Sequence, residues 1–164
     1  MAETAAEAET EPASQPYVPG WLPITSLLIA VVGLGISVYM TYEHFNQNAS
    51  LACASNSIVD CAAVTTSPQS MVFGKIPVAI LGLVFFVGII PLLTPMAWGA
   101  RSRLIRWARM GASIIGVGFV FYLVYVEFVD VGKICEWCTG VHILTLALFA
   151  VIMFGTASLD PLDD

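Results

Sequence analysis

The last apolar segment of the chain decides the fold. Residues 134–159 read ICEWCTGVHILTLALFAVIMFGTASL, in which the Cys-x-x-Cys motif Cys135 to Cys138 opens a run that stays uncharged from Trp137 to Leu159. A helix that crosses a bilayer needs roughly 20 apolar residues, and this run supplies them. The sequence therefore predicts a transmembrane helix with two cysteines at its start.

The rest of the chain repeats this pattern of long uncharged stretches. Only 11% of the residues are charged, against about 25% in a soluble domain. The other stretches without Asp, Glu, Lys or Arg are Leu22–Tyr42, Ile76–Ala100 and Met110–Val126. We expect an all-α integral membrane protein, a bundle of four transmembrane helices with a long extracytoplasmic loop between the first two. The membrane domain covers 21–159, with spans at about 21–43, 76–97, 108–129 and 136–158.

Two polar tails flank the predicted bundle. Residues 1–20 carry four glutamates among Ala, Thr and Pro and no basic residue, and residues 160–164 are short and acidic. A composition of this kind cannot bury a core, so the first tail is predicted to be disordered. The chain has no basic patch that would indicate binding to nucleic acid.

The distribution of basic residues predicts the orientation. Four of the six, Arg101, Arg103, Arg106 and Arg109, fall between the second and third spans. The positive-inside rule places this segment and both termini in the cytoplasm. The loops after the first and third spans then lie together on the extracytoplasmic side, and each carries cysteines.

The four cysteines form two pairs with different spacing. The motif pair, Cys135 and Cys138, lies one helical turn apart at a helix start, where unpaired backbone N–H groups stabilise a thiolate. Redox chemistry is the favoured interpretation of the motif pair, and a static disulfide or a pair of zinc ligands are the alternatives. The loop pair, Cys53 and Cys61, is compatible with redox exchange, a structural bridge or, less well, a zinc site.

Other polar residues near the predicted outer surface permit further roles. His142 follows Cys138 by four residues, so both project from one helix face. It is a candidate to bind a ligand or tune a thiol, or it is an ordinary interfacial histidine. A haem held between His44 and His142 would leave the cysteines unexplained. We expect four acids to be solvated at the interface, and a role in proton exchange with a quinone is the less specific alternative: Glu43, Glu127, Asp130 and Glu136.

Several of these features together resemble the vitamin K epoxide reductase family in its bacterial form. The first span ends in Ser-Val-Tyr-Met-Thr-Tyr-Glu-His at 37–44, and the loop pair follows. Thr-Ser-Pro at 66–68, Val-Phe-Gly at 72–74 and Pro77 come next, and Ile-Cys-Glu-Trp-Cys at 134–138 opens the fourth span. The order of the four cysteines relative to the spans makes the joint signal specific.

The resemblance implies a function for each of these residues. It implies a bundle around a quinone (menaquinone, ubiquinone or similar) and electrons that enter from a secreted thioredoxin-like, DsbA-type protein. They pass through Cys53 and Cys61 to Cys135 and then to Cys138, which lies beside the quinone. Ser67 stands where the family has a functional Ser or Thr that holds the loop or the quinone. His142 stands where animal members have a quinone-contacting tyrosine.

The resemblance also sets the location and the alternatives. We expect a multi-pass protein of the bacterial inner membrane. The chain ends after the fourth span, so we expect its thioredoxin-like partner to be a separate protein. A DsbB-type oxidase would carry its Cys-x-x-Cys motif after the first span, whereas here the motif precedes the fourth. The alternative from another class is a non-catalytic four-span scaffold with two structural disulfides.

Overall fold

The computed structural model describes residues 18–46, 52–53, 56–72, 76–100 and 102–159. Its α-helices are α1 (Trp21–Phe45), α2 (Cys61–Thr65), α3 (Val78–Ile89), α4 (Pro95–Gly99), α5 (Arg103–Tyr125) and α6 (Glu136–Leu159). Shorter elements are two 3-10 turns (Pro68–Ser70 and Ile90–Leu93), a π-helical turn (Val126–Val131) and the antiparallel strands β1 (Met71–Val72) and β2 (Ile76–Pro77). Residues 1–17 and 160–164, which include most of both predicted tails, lie outside the described residues.

Among the described residues, three segments are long and apolar enough to cross a membrane. They are α1 with 25 residues, α5 together with the π turn with 29 residues, and α6 with 24 residues. The third predicted span is longer than expected, because the helix continues without a break into the π turn and ends only at Val131.

The second predicted span, 76–97, is not one helix. It consists of α3, the 3-10 turn Ile90–Leu93 and α4. Pro91 removes a backbone donor inside the segment, and Pro95 occupies the first turn of α4. The hydroxyl of Thr94 caps α4 by accepting a hydrogen bond from the Ala97 N–H at 3.3 Å. The continuous apolar part, Val78–Leu93, is therefore shorter than the other three.

The long helices pack around one apolar core. Helix α1 contacts α3 and α6, and α6 also contacts α5. The core residues are Leu22, Ala30, Phe86, Ile89, Leu93, Trp98, Leu148 and Ile152. A second buried cluster lies at the opposite end of the bundle and contains Met40, Cys61, Val64 and Cys135. Two cysteines from distant parts of the sequence thus share one small core.

The outer surface of the bundle is apolar. Large aliphatic and aromatic side chains remain exposed on every long helix, among them Leu28 (61%), Val84 (60%), Ile115 (73%) and Phe154 (61%). A soluble monomer rarely exposes a continuous apolar surface of this extent. The exposed side chains are those expected of helices that face lipid.

Arg109 lies inside the bundle and not in a basic loop. It belongs to α5, is 3% exposed, and places its guanidinium carbon 3.5 Å from the ring centre of Trp98. Trp98 in turn donates a hydrogen bond from Nε1 to the hydroxyl of Ser26 at 3.3 Å. Cation–π contact offsets part of the cost of burying the charge. Arg103 and Arg106 also lie in α5, near its start.

Candidate active site

Cys135 caps the N-terminus of α6 with its sulfur. The residue immediately precedes the helix and is fully buried, and the backbone N–H of Cys138 donates to its Sγ at 3.3 Å. The Thr139 N–H and hydroxyl both donate to the Cys135 carbonyl at 2.9 Å. Both thiols of the motif pair are free, so a sulfur fills the position that Ser, Thr or Asp normally fills.

These contacts favour the thiolate form of Cys135. A hydrogen bond from the Cys138 thiol is the largest influence and lowers the Cys135 pKa, and the backbone N–H groups of Cys138 and Trp137 act in the same direction. Burial and the negative charge of Glu127 oppose the shift but do not reverse it. Cys135 therefore has the character of a reactive thiol.

The loop pair forms a disulfide. Cys53 and Cys61 are bonded, with their Cα atoms 6.2 Å apart. Cys61 is the first residue of α2 and is 1% exposed, whereas Cys53 is partly exposed. The carboxylate of Asp60 caps α2 by accepting a hydrogen bond from the Ala63 N–H at 3.0 Å. One end of the disulfide is thus fixed in the core and the other reaches toward the surface.

Backbone pairing holds the disulfide loop against the motif pair. Val59 and Ile134 form a parallel bridge, in which the Asp60 N–H donates to the Ile134 carbonyl at 3.1 Å. The Ile134 N–H donates to the Ile58 carbonyl at 3.0 Å. Cys135 directly follows the paired Ile134, so the pairing brings Cys61 and Cys135 into the same buried cluster.

Side chains anchor the same loop at two further points. The indole Nε1 of Trp137 donates to the Ala52 carbonyl at 2.9 Å, and the Tyr39 hydroxyl accepts from the Ala52 N–H at 3.2 Å. The Tyr39 and Trp137 rings contact each other with centroids 5.0 Å apart. The ammonium of Lys133 donates to the Ser57 carbonyl at 2.6 Å. None of these contacts was predicted, because each joins groups that lie far apart in the sequence.

An apolar cavity of about 470 Å³ opens beside Cys138. Residues of α1, α3, α5 and α6 line it, including Phe85, Phe119, Cys138 and His142. Its volume falls within the range of roughly 300–1,000 Å³ that is usual for small-molecule sites. His142 is 5% exposed and lies one turn beyond Cys138 on the cavity wall. His44 is not part of this wall, so the cavity does not join the two histidines.

Ser67 lies in the turn that follows α2. Its hydroxyl donates to the Val64 carbonyl at 2.9 Å and accepts from the Ser70 N–H at 3.2 Å. The Ser70 hydroxyl is bonded to the carbonyls of Thr65 and Ser67. Ser67 thus fixes the turn behind Cys61, and it lies outside the set of residues that line the cavity.

The expectation for Glu127 was wrong. Glu127 is 4% exposed, not solvated, and its carboxyl forms a side-chain hydrogen bond with Cys138. Asp130 and Glu136 are exposed, as expected, whereas Glu43 is partly buried with one carboxylate oxygen, Oε2, buried and unpaired. Residues four apart lie on the same face of a helix, and Glu127 follows Leu123 by four residues. Leu123 lines the cavity, so this spacing indicates that Glu127 faces the interior as well.

The structure bears on the zinc alternative for the cysteines. Both sulfurs of the loop pair are occupied by their mutual bond. In the part of the chain that the structure describes, no three His, Cys, Asp or Glu side chains are grouped to hold a metal ion. The four cysteines are arranged here as one disulfide facing one dithiol.

The part of the chain that forms this site matches a known protein family. A sequence model of the vitamin K epoxide reductase family matches residues 24–153, a range that includes all four cysteines and the helices around the cavity. Members of this family use quinones as electron acceptors and generally work with thioredoxin-like proteins. The chain therefore belongs to the vitamin K epoxide reductase family of membrane-embedded oxidoreductases.

Proposed function

We propose that this protein reoxidises a secreted thioredoxin-like, DsbA-type protein and passes the electrons to a membrane quinone. The loop pair receives the electrons and the motif pair delivers them. The net result is support of disulfide formation outside the cytoplasm. Cys53, Cys61, Cys135 and Cys138 are the residues that carry the reaction, and Ser67 holds the loop in place.

One observation supports this proposal above the others. A closed disulfide is held by backbone pairing against a free dithiol, and the second thiol of that dithiol opens into an apolar cavity. Neither a structural bridge nor a scaffold requires this juxtaposition. A relay requires it, because thiol–disulfide exchange proceeds only when a thiolate reaches a sulfur of the other pair.

The exchange steps balance through two mixed disulfides. A thiolate of the partner attacks Cys53, the Cys53–Cys61 bond breaks, and the second partner thiol releases the oxidised partner. The Cys61 thiolate then attacks Cys135 of the oxidised motif pair, and the electron pair of the broken bond remains on Cys138. Attack by Cys53 on the mixed disulfide restores the loop pair and leaves the motif pair reduced. This final state has the same bonding as the structure.

The cavity residues fit a quinone ring. A quinone, when bound, would accept two electrons from the dithiol and take up two protons. Cys138 would supply the reacting sulfur at the cavity wall, and His142, one turn further along α6, would offer a ring N–H to the ligand. Phe85 and Phe119 exclude water from the space between the helices. Apolar walls with a few polar groups are typical of sites for such ligands.

We further propose that four segments cross the bacterial inner membrane, with both cysteine pairs extracytoplasmic and both termini cytoplasmic. The Val59–Ile134 bridge supports this, because it joins the loop that follows α1 to the segment that precedes α6. Helix α5 runs the length of the bundle and leads back to the cysteine side. The chain between residues 61 and 102 therefore has to cross the bundle in the opposite direction before α5 begins. Arg103 and Arg106 lie near the opposite end, as the positive-inside rule expects.

The proposal is tested by following quinone-dependent oxidation of a reduced DsbA-type protein by the purified membrane protein. Replacing Cys135 or Cys138 with Ser should abolish turnover with any donor. Replacing Cys53 or Cys61 with Ser should block oxidation of the protein donor, while small dithiols still reduce the motif pair. Ser158→Ala, on the exposed surface of α6, is the control and should retain full activity. Absence of turnover in the wild type would leave the scaffold alternative, and full turnover by Cys138→Ser would reject the motif pair as the site.

A further inference from the structure

Glu127 lies in the turn that ends the α5 segment. It lies in the π turn Val126–Val131, which ends at Gly132 with a left-handed φ of 64°. The N–H of Gly132 and that of Lys133 both donate to the Glu127 carbonyl. A wide turn closed by a left-handed glycine is a common way for a helix to end. This turn fixes the direction in which the Glu127 side chain leaves the helix.

The side chain points at the motif pair. Its carboxyl hydrogen-bonds with Cys138, the residue that also contacts Cys135 and the cavity. Helix α2 packs against the π turn as well, and its only side chain with ionisable chemistry is the disulfide-bonded Cys61. In the described part of the chain, the ionisable groups found to interact with Glu127 are thus the two thiols of the motif pair.

A carboxyl in this place has a chemical consequence for exchange at the motif pair. Breaking the Cys135–Cys138 bond leaves an electron pair and a negative charge on Cys138. Bulk water does not reach a sulfur enclosed by these helices as readily as it reaches a surface thiol. A buried charge without a partner is costly. A group that supplies a proton at once removes this cost and speeds departure of the thiolate.

We propose that Glu127 exchanges a proton with Cys138 each time the motif pair opens and closes. This inference rests on the proposed function. When the Cys61 thiolate attacks Cys135, the Cys61–Cys135 bond forms and the Cys135–Cys138 bond breaks. The Cys138 sulfur keeps the electron pair and takes the proton of the Glu127 carboxylic acid, which becomes a carboxylate. When Cys138 is oxidised again, its proton returns to Glu127.

Infrared difference spectroscopy on the full-length protein, freed of quinone and without a protein partner, tests this step. Reduction with a small dithiol should remove a protonated-carboxyl band in the wild type. The band should be absent in both redox states of Glu127→Gln. Asp130→Asn, which alters an exposed acid in the same π turn, should behave like the wild type. A wild-type difference spectrum that persists unchanged in Glu127→Gln would overturn the proposal.

The rate of reduction gives an independent readout. Opening of the motif disulfide by a small dithiol should be slowed about 10²-fold in Glu127→Gln, the lower range for loss of a general acid. Glu127→Asp, which keeps the carboxyl, should recover part of the rate and retain a carboxyl band. Equal rates in all three proteins would count against proton exchange.

The two proposals fail separately. The protein could show a carboxyl band that responds to reduction and still be unable to oxidise any thioredoxin-like donor. That result would support the role of Glu127 and reject the relay. A working relay without the band would do the reverse.

Discussion

At the scale of single residues, the sulfur of Cys135 replaces the usual oxygen of a helix cap. The pKa of Cys135 is lowered, so its thiolate persists to lower pH than that of an ordinary cysteine. An ordinary cysteine has a pKa of about 8.5. We expect the thiolate absorbance of the reduced protein, with Cys53 and Cys61 replaced by Ser, to titrate below that value. Cys138→Ala, which keeps the backbone N–H but removes the thiol donor, should move the midpoint upward.

Thr139→Val provides the matched control for this titration. It removes a hydroxyl that bonds the carbonyl of Cys135 and not its sulfur, so the midpoint should remain that of the parent protein. A midpoint that does not respond to Cys138→Ala would mean that the thiol of Cys138 does not stabilise the thiolate.

At the scale of the helices, two glycines two residues apart in α1 differ in the space around them. A Cβ on Gly33 of α1 would overlap the ring of the fully buried Phe86 of α3, whereas a Cβ on Gly35 would meet nothing within 4 Å. We expect Gly33→Ala to lower the stability of the bundle by about 1–3 kcal/mol, the usual cost of overpacking. Gly35→Ala should leave it unchanged or slightly raise it. Unfolding in SDS, followed by circular dichroism, measures both; equal midpoints would refute the close α1–α3 contact.

The same contrast shows how far the sequence alone reaches. The long uncharged stretches predict the apolar helices, and the Cys-x-x-Cys motif predicts a dithiol at the start of the last one. Composition cannot say which glycine faces a neighbouring helix, because that depends on how the helices pair. Gly33 and Gly116 meet phenylalanine rings, while Gly35 and Gly111 face open space.

The site was predictable to a similar degree. The sequence identifies the two cysteine pairs, and the family resemblance predicts their roles. The Val59–Ile134 pairing joins residues far apart in the sequence through backbone atoms, which leave no trace in side-chain patterns. Glu127 was misjudged because an acid near the end of an apolar stretch normally marks the membrane surface. Here the helix continues through a π turn to Val131 and carries the acid inside.

At the scale of the whole molecule, the shortest apolar segment decides the topology. The 12 residues of α3 and the four of the following 3-10 turn rise about 26 Å together. A hydrocarbon core is about 30 Å thick, so this segment crosses only if its ends lie close to the interfaces or the bilayer thins locally. If it did not cross, α5 would start on the same side as the disulfide loop, and the two cysteine pairs would lie on opposite sides.

Labelling with a membrane-impermeant maleimide distinguishes the two topologies. In a chain whose four cysteines are replaced by Ser, we introduce one cysteine at a time at the exposed positions Ser57, Ser102 and Ser158. Four crossings require Ser57→Cys to react in intact cells, and Ser102→Cys and Ser158→Cys to react only after permeabilisation. Labelling in SDS controls for protein amount. Reaction of Ser57→Cys and Ser102→Cys from the same side would show that Val78–Leu93 does not span, and it would contradict the pairing that brings Cys61 to Cys135.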